Sequence, residues 1–203
     1  MLTRIAVFVS GGGTNLQSLI DAQNMGVLKS GRIQLVVSSN PSAFALERAA
    51  RAGIPTCTVS RKNCSSQEEF EEKISEVLDE FGIDMIVLAG FMSILSESFT
   101  KKYPKRMINV HPSLIPSFCG RGMYGLRVHK AALDYGVTVT GATVHYVNEI
   151  PDGGEIILQR AVSVRRGDTP ETLQKRVMEQ AEWRILPRAA EIVSKRIAKE
   201  KKS

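Results

Sequence analysis

The sequence is poor in cysteine and in histidine. Its 203 residues include only three cysteines, at positions 57, 64 and 119, and no two of them form a C-x-x-C pair. An odd cysteine count without such a pair argues against a disulfide framework and against a zinc ribbon. The three histidines are spaced too far apart to match a metal-binding motif. The sequence therefore predicts reduced thiols and no bound metal.

Long hydrophobic segments are also missing. The longest apolar run, 85–92, is far below the ~20 residues that a membrane-spanning helix needs. The apolar stretch near the N-terminus covers only 5–9 and ends in a serine and a glycine run, which is not the pattern of a signal peptide. We expect a cytosolic protein that does not enter a membrane.

Aromatic residues make up 6 % of the chain and the net charge is +6. Much of this charge lies in the basic segment 195–202, where no aromatic residues alternate with the lysines and arginines. Such a segment is typical of a solvated helix end and not of a nucleic-acid interface. The small remaining surplus suits an anionic small substrate. The length and the average apolar and charged content predict one globular domain, 1–203.

Strands and helices alternate over the first half of the chain. Buried strands are predicted at 4–9, 33–38, 55–59, 84–89 and 107–110, and helical spacing lies between them. Ser65, with Glu68 three residues later, has the form of a capping box at the start of one of these helices. Alternation of this kind predicts an α/β fold, a Rossmann-like, doubly wound and mostly parallel sheet.

The pattern changes after position 136. Two β-rich segments, 138–147 and 155–164, are so close in sequence that they can pair only as an antiparallel hairpin at the end of the sheet. Thr169 followed by Pro170 is a strong helix start, and the periodicity beyond it predicts a long C-terminal helix, kinked at Pro187. The glycine-containing segment 117–125 is the one long loop and a candidate for function.

The first candidate site is the hexapeptide SGGGTN at 10–15, between the first strand and the first helix. Glycines allow successive backbone N–H groups to turn toward an anion, and the helix N-terminus adds its dipole. Leu16 stands where a dinucleotide fingerprint needs its third glycine, and no Gly-Lys-Ser/Thr follows. The motif indicates either a phosphate cradle for a mononucleotide-sized ligand or a tight turn without a ligand.

The second candidate is NVHP at 109–112, at the end of a predicted parallel strand, where open α/β sheets bind ligands. Asn109 and His111 are two residues apart and so face the same way along a strand. An amide donor beside an imidazole can stabilise an oxyanion and move a proton, although both could instead satisfy nearby backbone groups.

The third candidate is the PDGG turn at 151–154, whose Asp152 could favour the charged form of a nearby imidazole. Thr143 and His145 share one face of the preceding strand. His129, inside a helix, is expected to be a packing or surface residue. No nucleophile elbow is present, and Cys119 has no histidine close in sequence.

Together these motifs resemble the folate-dependent formyltransferases, and within them the phosphoribosylglycinamide formyltransferases of purine biosynthesis. The matching segments are VSGGGTNLQ at 9–17, VLAGFMSIL at 87–95, INVHPSLIP at 108–116, and VH at 144–145 leading to DGG at 152–154. The same core occurs in methionyl-tRNA formyltransferase and in formyltetrahydrofolate hydrolase. Those enzymes carry a further C-terminal or N-terminal domain, for which we expect no room in 203 residues.

The resemblance implies specific roles. The phosphate of glycinamide ribonucleotide would lie on Gly13, Thr14 and Asn15, and a late-helix glutamate, Glu182, would contact the same substrate. The pteridine of 10-formyltetrahydrofolate would lie against 92–95 and near Asn109. Asn109, His111 and Asp152 match the catalytic trio, and no metal is implied. The segments expected to line the folate side are Met92, Ser93, Ile94 and Leu95.

The resemblance further implies a phosphate-binding half, 1–110, a folate-binding and catalytic half, 111–203, and a monomer or homodimer. Three positions depart from the usual family pattern: Ser93 replaces a common arginine, the loop 117–125 is longer, and Trp183 follows Glu182 where histidine is usual. Hydrolysis of the formyl donor and a non-catalytic nucleotide-binding module remain as alternative functions.

Overall fold

Seven strands form one sheet in the computed structural model, which describes residues 1–201. The sheet order is β3-β2-β1-β4-β5-β6-β7. The first five strands in this order are parallel to one another, and β6 is antiparallel to both of its neighbours, β5 and β7. The predicted mostly parallel sheet with a terminal hairpin is therefore confirmed. The strands are β1 (Thr3–Val9), β2 (Gly31–Ser38), β3 (Thr56–Thr58), β4 (Met85–Leu88), β5 (Met107–His111), β6 (Val139–Tyr146) and β7 (Ile156–Ser163).

Helices occupy the connections and the C-terminal segment. They are α1 (Thr14–Asn24), α2 (Phe44–Arg51), α3 (Gln67–Glu80), α4 (Glu97–Thr100), α5 (Leu126–Tyr135), α6 (Pro170–Val177) and α7 (Trp183–Glu200). A short 3₁₀ turn, Arg61–Asn63, precedes α3, and a π-helical turn, Met178–Glu182, joins α6 to α7.

The sheet is buried on both faces, as β1 illustrates. Its residues Ile5 and Val7 point into one core and Ala6 and Phe8 into the other, because successive strand side chains alternate between faces. Helices α1, α2, α6 and α7 cover the first face, and α3 and α4 cover the second. Each fully buried aliphatic or aromatic side chain contributes roughly 1.5–3 kcal/mol.

The cap of α3 lies one residue later than the sequence predicted. Ser66, not Ser65, caps α3 by accepting a hydrogen bond from the Glu69 N–H, and the Glu69 carboxylate in turn accepts from Ser65 N–H at 2.6 Å. The capping pair is therefore displaced by one residue from the predicted Ser65 and Glu68. Both registers satisfy the same sequence signature, so only the backbone path separates them.

The C-terminal helical region contains an interruption that the sequence did not predict. The interruption is the π-helical turn Met178–Glu182, whereas Pro187 lies inside α7. A π turn inserts one residue into an α-helix and is frequent at functional sites. A single inserted residue changes the hydrophobic periodicity very little, so the sequence did not predict this turn.

Candidate active site

Three chain segments meet at the carboxyl end of β5. Asn109 and His111 are the third and fifth residues of that strand, and β6 pairs with it so that His145 lies opposite Asn109. The turn between β6 and β7 brings Asp152 against the same residues. The antiparallel pairing of β6 thus assembles groups that are separated by 43 positions in the sequence.

The Asp152 carboxylate lies at the centre of this group. Its Oδ2 accepts a hydrogen bond from Gly120 N–H at 2.8 Å and is 3.5 Å from His111 Nδ1. Its Oδ1 is 3.5 Å from both Asn109 Nδ2 and His145 Nε2. Burial acts to raise the pKa of Asp152, but the His145 contact, the nearby His111 and the Gly120 N–H outweigh it and hold the pKa below its usual value. Asp152 is therefore an anion at neutral pH.

The His111 imidazole is buried, with 4 % of the residue exposed, and both ring nitrogens face acceptors. Nε2 is 2.9 Å from the Phe118 carbonyl oxygen, which can only accept, so this nitrogen carries a proton. Nδ1 faces the Asp152 carboxylate. The ring is thus held between a backbone carbonyl on one side and a carboxylate on the other.

His145 has a similar arrangement. Its Nδ1 donates to the Tyr146 carbonyl oxygen at 2.8 Å. Its Nε2 lies 3.3 Å from the Asn109 amide nitrogen and 3.5 Å from Asp152 Oδ1, so that His145 contacts both side chains. Its neighbour Thr143 is structural, since its hydroxyl donates to Ser113 O at 2.7 Å and anchors the chain that follows His111.

The glycine loop lies at the start of α1. Gly13 is the N-cap residue with φ of 72°, and a Cβ there would lie 2.6 Å from the Ala45 Cβ. No side chain caps this helix, so its first N–H groups are available to an anion. Ser10 links the loop to the predicted folate segment, because its hydroxyl accepts a hydrogen bond from Met92 N–H at 2.8 Å.

Asn15 and Glu182 form a buried pair across the start of α1 and the end of the π-helical turn. Asn15 Nδ2 donates to Glu182 Oε2 at 2.7 Å, and only 6 % of Glu182 is exposed. Burial raises the pKa of Glu182, and the hydrogen bond from Asn15 opposes this shift in part. The amide oxygen of Asn15 has no partner within residues 1–201.

A cavity of about 720 Å³, here called the catalytic cavity, connects these groups. The residues predicted for the site divide between those on its wall and those elsewhere. Ser93 and Leu95 do not line it, and Leu95 instead packs against the core beneath α3 and α4. Thr14 lines a neighbouring cavity, and Gly13 is on neither wall. The predicted residues that line the catalytic cavity are Asn15, Met92, Ile94, Asn109, His111, Asp152 and Glu182.

His129 is a wall residue for which the sequence predicted a packing or surface role. It is 1 % exposed, and neither ring nitrogen has a hydrogen-bond partner among the described residues. Burial and the proximity of His111 lower the pKa of His129 to about 4, so that the ring is neutral at physiological pH. An unpartnered buried imidazole facing a cavity indicates a group that a ligand completes. The sequence does not predict that His129 lies on a cavity wall, because helical periodicity shows only that a residue of α5 faces inward. It does not show whether that residue meets a packed core or a cavity.

The loop 117–125 forms the outer wall of the catalytic cavity, as its length suggested. Phe118 supplies the carbonyl that accepts from His111, and Gly120 supplies the N–H that binds Asp152. Residues Gly120 to Gly125 line the cavity. The loop therefore helps to hold the side chains of His111 and Asp152 in place.

Metal-binding clusters and membrane-spanning helices are both missing from the described part of the chain. Residues 1–201 contain no group of three or more histidine, cysteine or acidic side chains placed to hold a metal ion. None of the helices in that range is both long and apolar enough to cross a membrane.

Comparison with known proteins identifies the family. The sequence model described as formyl transferase matches residues 3–190. The chain belongs to the formyl transferase family. It is 40 % identical over 186 residues to the phosphoribosylglycinamide formyltransferase of Haemophilus influenzae, covering 92 % of this chain and 84 % of that protein. The structure of glycinamide ribonucleotide transformylase 1 from Symbiobacterium toebii superimposes with a TM-score of 0.89 at 39 % identity, covering 96 % of this chain and 88 % of the other.

A longer relative also matches this formyltransferase. The human trifunctional purine biosynthetic protein adenosine-3 is 48 % identical over 191 residues, which is 94 % of this chain. The chain spans only 18 % of the length of that protein. The similarity is therefore to one part of a multifunctional polypeptide.

Proposed function

We propose that this formyltransferase moves the formyl group of 10-formyltetrahydrofolate to the amine of glycinamide ribonucleotide, in de novo purine biosynthesis. The observation that carries the proposal is one continuous cavity. At one end lie Asn109, His111 and Asp152, and at the other end lies the Asn15–Glu182 pair beside the uncapped start of α1. The phosphate group of one substrate can thus lie at the start of α1 while its amine lies near Asn109, His111 and Asp152.

The phosphate end relies on backbone groups. The free N–H groups at the start of α1, where Gly13 ends the loop, bind an anion through hydrogen bonds and the helix dipole. Asn15 and Glu182 would contact the sugar or the glycinamide part of the same molecule, since both are on the cavity wall. In this proposal Gly13 and Thr14 act through their backbone N–H groups at the start of α1, next to Asn15 on the wall of the catalytic cavity.

The reaction end supplies charge and proton handling. Attack of the amine on the formyl carbon develops negative charge on the formyl oxygen, which the Asn109 amide and a protonated His111 would stabilise. Asp152 would keep His111 charged and accept or relay the proton that the amine loses, before it reaches the departing folate nitrogen. The fixed donors cost no reorganisation when the charge develops, because His145, Phe118 and Gly120 already hold these three side chains.

The folate side fits a large, mostly flat co-substrate. The catalytic cavity has about 720 Å³ and is lined on this side by Met92 and Ile94, both largely exposed, and by the loop 117–125. Pockets of 300–1,000 Å³ with apolar walls and few polar groups are typical small-molecule sites. Of the predicted segment 92–95, Met92 and Ile94 would contact the pteridine from the cavity wall, partly through backbone groups, while Ser93 and Leu95 would support them from outside the lining. Asn109 would face the formyl group. The absence of an arginine at Ser93 removes a charged contact from this side.

The test is the ultraviolet change on conversion of 10-formyltetrahydrofolate to tetrahydrofolate, recorded with and without glycinamide ribonucleotide. Conversion that requires the ribonucleotide supports the transferase. Conversion in its absence indicates formyltetrahydrofolate hydrolysis, in which the same trio acts on water and the phosphate cradle has no role. No conversion in either sample, together with binding of phosphate compounds, indicates a non-catalytic nucleotide-binding module.

In the same proposal the chain has a phosphate-binding half, 1–110, and a folate-binding and catalytic half, 111–203. It acts in the cytosol as a monomer or homodimer, with small molecules as its partners. The formyl donor is a co-substrate and no metal takes part.

A further inference from the structure

A second cavity lies between α1, α2 and the start of α7, and it shares no lining residue with the catalytic cavity. Its volume is about 450 Å³. Four arginines, Arg48, Arg160, Arg184 and Arg188, line it, and it is here called the arginine cavity. Thr14 and Trp183 are also on its wall, so that it adjoins the outer side of the Asn15–Glu182 pair.

The charge of the arginine cavity is uncompensated. Asp21 is the one acidic residue on its wall, and its Oδ1 already accepts a hydrogen bond from Gln17 at 2.9 Å. Arg160, Arg184 and Arg188 are exposed and Arg48 is partly buried. Positive charges that line one space attract an anion to it.

Two of the arginines are held in place and two are free. Arg48 donates to Gly12 O at 2.8 Å and to Gln17 Oε1 at 3.1 Å, and Arg184 donates to Glu179 O at 3.1 Å. The side chains of Arg160 and Arg188 have no ion-pair partner within residues 1–201. The cavity thus combines preorganised cations with unused donors, which is the arrangement that arginines make at phosphate sites.

The remaining wall favours an organic ligand over a bare ion. Trp183 Nε1 is buried without a hydrogen-bond partner in the described residues. Ala22, Met25, Val27 and Pro187 supply apolar surface. A volume of this size holds a small molecule with a ring or chain attached to its charged group.

We propose that the arginine cavity is a second binding site, which takes a small organic phosphate. A phosphate monoester carries nearly two negative charges and three acceptor oxygens at neutral pH. It can therefore bind several guanidinium groups at once, whereas a carboxylate ligand has one charge and two oxygens. The two cavities share no lining residue, and binding here requires no turnover. Thr14, whose backbone the proposed function assigns to the substrate phosphate, nevertheless lies on this wall, so the two sites adjoin at the glycine loop.

Trp183 makes the test specific, because it is the only tryptophan in the sequence. Its fluorescence is titrated with AMP, with pyrophosphate and with adenosine as the uncharged counterpart of AMP. We expect saturable changes with AMP and pyrophosphate that weaken as salt is added, and none with adenosine. Equal responses to AMP and adenosine, or no saturable response to either phosphate compound, would overturn the proposal.

A pair of variants locates the binding. Arg160→Gln/Arg188→Gln should raise the dissociation constant for AMP at least about tenfold, since each charge-assisted hydrogen bond lost has roughly this effect. Arg51→Gln is the matched control, because Arg51 is on α2 near Arg48 but outside the cavity and pairs with Glu47. An unchanged dissociation constant in the double variant would place the phosphate elsewhere, for example on the glycine loop, and would refute the site. A thermal unfolding midpoint equal to that of the wild type confirms that the variants fold.

Discussion

The two ends of the catalytic cavity differ in how their buried polar groups are satisfied. Around Asp152, hydrogen bonds from Gly120 and contacts with His111 and His145 occupy both carboxylate oxygens. At the other end, the Asn15 amide oxygen has no partner within the described residues, and neither has either nitrogen of His129, a wall residue that lies near His111. The groups that surround Asp152 are complete without a ligand, whereas Asn15 and His129 are not.

This difference fits the tasks that the two ends have in the proposed reaction. Donors that stabilise developing charge act best when they are already oriented. A binding surface can instead carry unsatisfied groups, each at a cost of about 1–3 kcal/mol, which the hydrogen bonds of a substrate then offset. Loss of a group that surrounds Asp152 should therefore slow turnover, whereas loss of an unpartnered group such as Asn15 or His129 should weaken binding.

The largest effect is expected for Asn109→Ala. Removal of one oxyanion donor lowers kcat by about 10²- to 10³-fold, while the ribonucleotide still binds through the glycine loop. Steady-state kinetics and calorimetric titration with glycinamide ribonucleotide measure the two quantities. Asn24→Ala, an exposed position at the end of α1, serves as the control. Turnover equal to that of the wild type would show that Asn109 holds no oxyanion.

Asp152→Asn should lower kcat by roughly 10²-fold, the range usual for loss of an acid–base group. An amide there can still accept from Gly120 N–H but cannot carry the charge that faces His111. The control is Asp134→Asn, because Asp134 lies exposed on α5 and pairs only with Lys130 among the described side chains. If the Asp152 variant loses affinity for the ribonucleotide and keeps its kcat, the assignment of the two ends is reversed.

His129→Phe should raise KM for the ribonucleotide about tenfold with little change in kcat, because one hydrogen bond to the bound substrate is lost. The folded state should be as stable as the wild type or more stable, since an apolar ring leaves no buried nitrogen unpartnered. His129→Gln, which keeps a donor and an acceptor, should retain part of the affinity. A fall in stability without any change in KM would mark His129 as a packing residue after all.

The smallest effect concerns pH and Glu182. Burial raises the pKa of Glu182 above the 4.5 of an ordinary glutamate. An acid of this kind contributes stability that is fully present below the unfolded pKa and is lost as pH rises through the folded pKa. Glu182→Gln cannot ionise, so the wild type should lose stability relative to it as the pH rises above the pKa of an ordinary glutamate and through the raised pKa of Glu182. The loss is about 1.4 kcal/mol for each pH unit that separates the folded pKa from the unfolded pKa.

Urea unfolding at several pH values measures this difference. The wild-type and Glu182→Gln proteins should differ least near the acidic end of the range and separate as the pH rises. A difference that stays constant across the range would mean that the Glu182 pKa is not raised in the folded protein.

Much of the fold could be predicted because its signals are local. Alternation of short apolar strands with helical periodicity predicted the parallel sheet, and the proximity of the segments that became β6 and β7 allowed only an antiparallel pair. The cap of α3 and the π-helical turn before Trp183 were not predicted, since each depends on a shift of one residue that hydrophobic spacing does not record.

The site was predictable only in pieces. Asn109 and His111 share a face through their spacing alone, and the glycine loop follows from its composition. Nothing in the spacing connects Asp152 to His111, and that connection came from the family resemblance. Local pattern also does not tell which cavity a helix residue will face, so it did not show that His129 and Thr14 lie on the walls of two different cavities.

The sequence by itself determined the order of strands and helices, the glycine loop and the strand that carries Asn109 and His111, because these depend on neighbours along the chain. Only the tertiary structure decided which groups meet: Asp152 with His111, Asn15 with Glu182, and four arginines around one cavity. Those contacts join residues tens of positions apart, and their geometry depends on strand pairing and helix packing that form only when the whole chain folds.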